Sequence, residues 1–321
     1  MLRKLSLKVL LSLLVIAFSL TLSGVEIWTD GHRTVAEVPR EHQLKFAAWN
    51  IQRFGQDGKY HRDKNEMREI VKILHKYDLI AITELMKEKE LQRAQKLLSQ
   101  MGREYDYLIS REVGWIGDHY QEHYAFLYDK KLISVVPDRE TGEEKGSLYE
   151  KPIRRPELDK ELRENFIRPP FWATFRADKF DFSVIVVHTQ PKRSKEECEL
   201  MDEVYKRIQK KNGEESDILL VGDFNLEPTE NEFTDLLEIK DKDEDRSTMI
   251  FLINEKDHRS TMVNFKKIND NIFFEKTHLS EYLDCGVDEF DKRDLGGVPA
   301  KYISDHRPVW ATFRIDGRDD D

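Results

Sequence analysis

From residue 44 onward, short apolar runs alternate with charged stretches of helical period. In Leu219-Leu220-Val221-Gly222-Asp223-Phe224-Asn225 an unbroken apolar run meets a glycine and then two polar residues. An uninterrupted run of this kind predicts a strand buried on both faces. Strand side chains alternate, so Asp223 and Asn225 share a side, with Phe224 opposite. Open α/β sheets build their sites at such strand ends. Leu44–Ala48 predicts another strand, with Asn50 near its end and Gly55 beyond, and Asp78–Glu84 a further one ending in a carboxylate. Between them, Met67, Ile70, Val71 and Leu74 recur at helical spacing across Lys64–His75. Lys87–Met101 reads as the next helix, stopped by Gly102.

Glu122–Tyr128 predicts a strand, and Pro137–Pro156 a charged, turn-rich loop. Phe171–Phe175 and Phe182–His188 read as neighbouring strands joined by a charged turn. Helical spacing returns over Glu196–Ile208. Asp241–Arg246 is a charged loop, Asp270–Phe274 a late strand, and Ile303–Phe313 closes the pattern. Strands and helices interleave, yet several strand pairs have no helix between them. That predicts a mixed sheet.

The first residues follow a different pattern. Arg3, Lys4 and Lys8 precede an apolar run from Val9 to Leu22, then Ser23-Gly24. This is the layout of an export signal, and the run is short for a membrane span. Residues 1–24 are read as a signal peptide, with an uncleaved N-terminal anchor as the alternative, residues 25–43 as a linker and 44–316 as the domain. No cysteine follows the apolar run, so no lipid attachment point is expected. The reading places the protein outside the cytoplasm, secreted or periplasmic, and in contact with a membrane only through an uncleaved segment. There Cys198 and Cys285 are able to pair, and their spacing fits no zinc site.

The whole chain has 321 residues, 36% charged and 39% hydrophobic, with a formal net charge of −10. This suits one large α/β domain or two small ones. It excludes nucleic-acid binding by bulk positive charge and leaves a local basic groove with a metal as the route to such a substrate. Asn50, Glu84, His188, Asp223, Asn225, Asp305 and His306 all fall at ends or edges of apolar strands. Two histidines among carboxylates suit acid–base chemistry near neutral pH. Carboxylates and amides without cysteine suit a hard cation such as Mg²⁺, Mn²⁺ or Ca²⁺. The chain has no glycine-rich phosphate loop and no Gly-x-Ser-x-Gly elbow.

Seven segments in this order carry a resemblance: Leu44–Gly55, Asp78–Glu84, Tyr120–Tyr128, Arg168–Phe175, Val186–Pro191, Gly222–Asn225 and Ser304–Pro308. The chain resembles the endonuclease/exonuclease/phosphatase superfamily, and within it most the deoxyribonuclease I branch. The resemblance implies a four-layered α/β sandwich of two mixed β-sheets flanked by helices, and metal-dependent hydrolysis of phosphoesters. It implies Glu84 and Asn50 at the metal, with Asp305 as a further metal-associated carboxylate. His188 and His306 match the catalytic histidines, with Glu122 paired to the first and Asp270 to the second. Asp223 and Asn225 match residues that hold water, phosphate or metal, and Tyr120 and Arg168 match phosphate contacts. Mg²⁺ or Mn²⁺ is the implied cofactor and DNA the implied partner; no protein partner is evident.

Three positions depart from the pattern. Met86 stands where the family has a groove-entering arginine. Leu226-Glu227-Pro228 lacks the cysteine of the family's disulfide. Ser260-Thr261-Met262-Val263 does not reproduce the threonine-rich calcium loop. The expectation is an exported endonuclease cutting DNA. The alternative is a phosphoesterase of the same superfamily acting on a small or lipid headgroup. A binding module without catalysis fits poorly, because the catalytic positions are filled.

Overall fold

The computed structural model describes residues 28–29, 32–33, 38–115, 120–138, 142–150, 166–212, 217–239, 249–258, 260–278 and 280–317. The segment read as an export signal and the loop Asp241–Arg246 lie outside the described residues. The chain forms two compact units, Met1–His42 and Gln43–Asp321. In the first, β1 (Trp28–Thr29) pairs antiparallel with β2 (His32–Arg33).

The second unit opens with β3 (Gln43–Phe54), helix α1 (Lys64–Leu74), β4 (Leu79–Leu85) and helix α2 (Glu88–Gln100). Then come β5 (Tyr105–Ile109), β6 (Val113–Trp115), β7 (Tyr120–Asp129), β8 (Ser134–Val136) and β9 (Ser147–Leu148). β10 (Phe171–Ala177) and β11 (Phe180–His188) lead through helices α3 (Ser194–Cys198) and α4 (Met201–Asn212) to β12 (Ile218–Asp223). The chain finishes with α5 (Thr234–Leu237), β13 (Met249–Phe251), β14 (Asp270–Glu275), β15 (Tyr282–Val287) and β16 (Val309–Arg314).

One sheet runs β15-β16-β3-β4-β7-β5, with β6 on β7; the other runs β13-β14-β12-β11-β10-β8, with β9 on β10. Each is antiparallel except for one central pair, β3 with β4 and β11 with β12. Parallel neighbours need a crossover, which α1 supplies in the first case and α3 with α4 in the second. Alternation then sorts the side chains. Leu44, Phe46 and Ala48 of β3 share one core with Val184, Val186, Leu219 and Val221 of the other sheet. Ala47, Trp49 and Ile51 face the opposite way and pack with Ile70 and Leu74 of α1 and Leu91 and Leu98 of α2. Ile185, Val187 and Leu220 pack with Val204, Tyr205 and Ile208 of α4. The result is the four-layered sandwich that the resemblance implied, built from the mixed sheets that the pattern predicted.

Two elements differ from the sequence pattern. The helix expected over Glu196–Ile208 is broken between α3 and α4. Glu197 turns inward there, accepting from Ile167 N at 3.0 Å and Gln190 N at 2.9 Å. Of the closing segment Ile303–Phe313, only the part from Val309 is strand. Ser304 Oγ bonds Asn50 O at 2.7 Å and receives His306 N at 3.0 Å, which turns the chain before the strand starts. Cys198 and Cys285 are both free. The first packs on the outer face of one sheet and the second against the intersheet core. Among the described residues no helix is long and apolar enough to cross a membrane.

Candidate active site

The C-terminal ends of the two parallel pairs meet at one edge of the sandwich. Register brings three site residues side by side: His188 is the partner of Asp223 across β11 and β12, and Asp223 of Asp270 across β12 and β14. Backbone strain gathers here. Among the described residues five non-glycine positions have positive φ, and Gln52 (30°), Arg53 (53°), Glu84 (58°) and Asn225 (49°) are four of them. L-residues rarely occupy this region, and such outliers persist where the surroundings over-determine them. Here each lets a strand end turn its side chain toward the cavity. Gly222 has φ of 127°, and a Cβ there would lie 2.1 Å from Val187 O. Only glycine lets β12 approach β11 this closely.

Two imidazole–carboxylate pairs face each other. His188 Nδ1 lies 2.8 Å from Glu122 Oε1, and His306 Nδ1 lies 2.9 Å from Asp270 Oδ2. Both Nε2 atoms stand 3.6 Å from the same oxygen, Asp223 Oδ2. Asn50 Nδ2 donates to Glu84 Oε1 at 2.9 Å and to Asp223 Oδ2 at 3.0 Å, while Asn50 Oδ1 accepts from Gln52 N at 2.9 Å. Glu84 Oε2 accepts from Arg53 N at 2.9 Å. Asn225 donates from Nδ2 to Thr189 O at 3.0 Å and from its backbone N to Asp223 Oδ1 at 2.9 Å. Thr261 Oγ1 receives the backbone N–H of Asp270 at 3.2 Å and fixes that carboxylate's place.

Arg168 is 3% exposed. Its Nε and Nη2 each donate at 2.7 Å, to His188 O and Thr189 O. Its Nη1 lies 3.9 Å from Glu122 Oε2, an oxygen that is buried and without a hydrogen bond. Arg168 therefore holds the His188 strand end and offsets the Glu122 charge. Arg53 lies between two rings, its guanidinium carbon 5.0 Å from the Tyr60 centroid and 4.8 Å from that of Tyr120.

Burial and the positive charge of Arg168 push the His188 imidazole down, but the hydrogen-bonded Glu122 and nearby Asp223 outweigh them, and it titrates above 6.5. His306 also overcomes its burial and is held well above 6.5 by Asp270 and Asp223. Burial, only partly offset by His306, pushes Asp270 up to about 6. For Glu84, burial acts upward, but His188, Tyr120 and Asn50 together hold the carboxyl below its ordinary range. Burial raises Asp305; His306 opposes the rise, and the charge of Glu84 adds to it. The pocket thus carries crowded carboxylates, three of which, Glu84, Asp223 and Asp305, face the cavity.

That cavity is about 400 Å³. Glu84, Tyr120, Arg168, His188, Asp223, Asn225, Asp305 and His306 line it. Asn50, Glu122 and Asp270 stand behind, each bonded to a lining residue. Every residue expected at the site from the sequence comes to this one place. Sequence reasoning missed Gln52, Tyr60, Gln190 and Pro191 in the lining. It also missed Tyr124, whose hydroxyl accepts from His188 N at 3.1 Å. The left-handed backbone at Gln52 has no sequence signal, and Tyr60 lies in an irregular loop whose path the apolar pattern does not give.

An all-oxygen set suits a hard cation. Glu84 and Asp305, mutually repelling across the cavity, fit such an ion. Asp223, Asp270 and His306 also present ligand atoms within 4.8 Å of one another. Within that group His306 Nδ1 and Asp270 Oδ2 are already joined by a 2.9 Å hydrogen bond.

The sequence profile of the endonuclease/exonuclease/phosphatase family matches residues 47–310. The chain belongs to this family. It is similar to human deoxyribonuclease gamma, 30% identical over 187 residues, 57% of this chain and 56% of that protein. The chain thus spans little more than half the length of that relative. Mouse deoxyribonuclease-1-like 2 is 29% identical over 283 residues, 84% of this chain and 92% of the relative. In fold it is similar to a family member from Bacteroides thetaiotaomicron, with TM-score 0.55, 17% identity, and coverage of 84% of this chain and 97% of that one.

Proposed function

We propose that the protein is an exported, divalent-metal-dependent endonuclease that hydrolyses phosphodiester bonds of DNA. The observation that carries the chemistry is the pair of imidazoles held by Glu122 and Asp270, both facing Asp223 Oδ2 at 3.6 Å. A phosphodiester resists attack because its oxygens are negative. Glu84 and Asp305, with Asn50 beside them, would hold Mg²⁺ or Mn²⁺, which when bound neutralises charge on the phosphate oxygens. Asp223 orients the attacking water, and one of the two imidazoles takes its proton. The other imidazole, protonated, gives a proton to the leaving oxygen. Glu122 and Asp270 fix the ring orientations and keep them basic. Asn225 lines the pocket where the phosphate would sit, and the charge of Arg168 favours the anion there.

The similarity to deoxyribonucleases supports DNA as the substrate, and the apolar run with its basic flank at the N-terminus supports export. Met86 and the net charge of −10 favour a second reading, a phosphoesterase for a small or lipid headgroup. The two readings separate when supercoiled plasmid and a headgroup phosphodiester are each incubated with the protein in Mg²⁺ or Mn²⁺. Plasmid nicking that chelator abolishes supports the nuclease. Hydrolysis of the headgroup ester with plasmid intact under every divalent ion tried refutes it.

A further inference from the structure

We infer that Arg53 grips a phosphate beside the scissile one and so sets the preference for a polymer over a small phosphodiester. The inference rests on the nuclease reading and adds a specificity residue to it. Besides the two histidines, Arg53 and Arg168 are the cations lining the cavity. Arg168 is committed, with Nε and Nη2 on backbone carbonyls and Nη1 toward Glu122. Arg53 is different. Its Nη1 donates to the neutral Gln56 Oε1 at 3.1 Å, and among the described residues no carboxylate forms an ion pair with it. Nε and Nη2 are left for an outside acceptor.

The position of this guanidinium is already restricted by two rings. Tyr60 and Tyr120 hold it within 5.0 Å and 4.8 Å of their centroids. A guanidinium held against ring faces keeps its donors available, and a planar fork matches two oxygens of a phosphate. Binding then costs little side-chain entropy, because the rotamer is fixed beforehand. The backbone of the same residue donates to Glu84 Oε2, so the fork stands at a fixed distance from the reacting centre. A small diester has no second phosphate for it to reach. A strand has one on each side of the bond cut.

The test is the ratio of kcat/KM on supercoiled plasmid to kcat/KM on bis(4-nitrophenyl) phosphate, for wild type, Arg53→Ala and Arg53→Lys. The expected result for Arg53→Ala is a ratio about tenfold lower, mainly through KM on plasmid, the size of one lost charge-assisted contact. The log–log salt slope of plasmid binding should become shallower by about 0.9, the value for one phosphate neutralised on duplex DNA. Arg53→Lys should keep the slope and recover only part of the ratio, since an ammonium has neither fork nor stacking plane. An unchanged ratio in Arg53→Ala overturns the inference, as does an equal loss on both substrates. Plasmid cutting by wild type separates that outcome from failure of the nuclease reading, which shows as no plasmid cutting by wild type and removes this inference with it. Alanine takes the left-handed φ at the strain arginine already bears, so matching thermal melts are expected. Were Arg53→Ala to unfold, a wild-type ratio in Arg53→Lys would still overturn the claim.

Discussion

His188 and His306 each point one nitrogen at a buried carboxylate and the other at Asp223. That doubling makes both indispensable to the proposed chemistry. His188→Ala and His306→Ala should each lower plasmid nicking at least about a hundredfold, the usual weight of a general acid or base. Steady-state rates on variants with wild-type circular dichroism check this, and near-normal turnover in either would remove the mechanism. Glu84→Gln should raise the Mg²⁺ or Mn²⁺ concentration needed for half-activity at least several-fold, because a ligand charge is lost; a metal titration of rate shows it. The pH behaviour has a defined sign. Both folded-state imidazole values lie above 6.5, with His306 well above it. The stability these histidines contribute is therefore complete below about pH 6.5 and is lost as pH rises through the folded values. Histidine NMR titrations in chelator should place both midpoints above 6.5. Glu122→Gln should lower that of His188 and Asp270→Asn that of His306. Midpoints that stay put would deny the carboxylates their role. At this scale the sequence was informative where chemistry and strand ends coincide, as at Asp223 and Asn225. It was silent about Tyr124 and Thr261, whose hydroxyls hold backbone N–H groups of His188 and Asp270 across 64 and 9 residues. It matched Arg168 to a phosphate contact, whereas two of its donor groups are spent on carbonyls of the adjoining strand end.

Strands buried on both faces were legible because they are unbroken apolar runs. The same runs explain why β11 and β12 lie side by side in the middle of a sheet. Edge strands were not legible. β15 gives no unbroken apolar run because Asp284 and Gly286 interrupt its six residues, and among the described residues it pairs only with β16. Two glycines separate close approach from simple backbone freedom. Gly222→Ala sets a Cβ against Val187 O and should cost roughly 2–5 kcal/mol, combining strain with overpacking. Gly102→Ala, with φ of 90° but no neighbouring atom within 4 Å, should cost about 1 kcal/mol. Urea denaturation of the two variants gives the comparison; equal losses would mean that the β11–β12 approach is not what glycine serves. The break between α3 and α4 was hidden from periodicity because Glu197 looks like a surface residue by type. Its burial follows from two backbone N–H groups 30 and 7 residues away.

For the molecule as a whole, the nuclease reading requires a net charge of −10 to coexist with a polyanionic substrate. Attraction therefore has to be local, at the cavity, and sensitive to salt. Both sheets contribute to the site. β3, β4 and β7 bring Asn50, Glu84, Tyr120 and Glu122, while β11, β12 and β14 bring His188, Asp223 and Asp270, so neither sheet holds a complete site. The central claim is that these residues, assembled across the intersheet core, hydrolyse DNA phosphodiesters with a divalent cation. The most direct measurement is the conversion of supercoiled plasmid to nicked circle over time, with Mg²⁺ or Mn²⁺ and again with excess chelator, for wild type and His306→Ala. The account predicts nicking by wild type with the cation alone, none in chelator, and at least about a hundredfold slower nicking by the variant. Nicking that survives chelator, or that the folded variant performs at the wild-type rate, would contradict it.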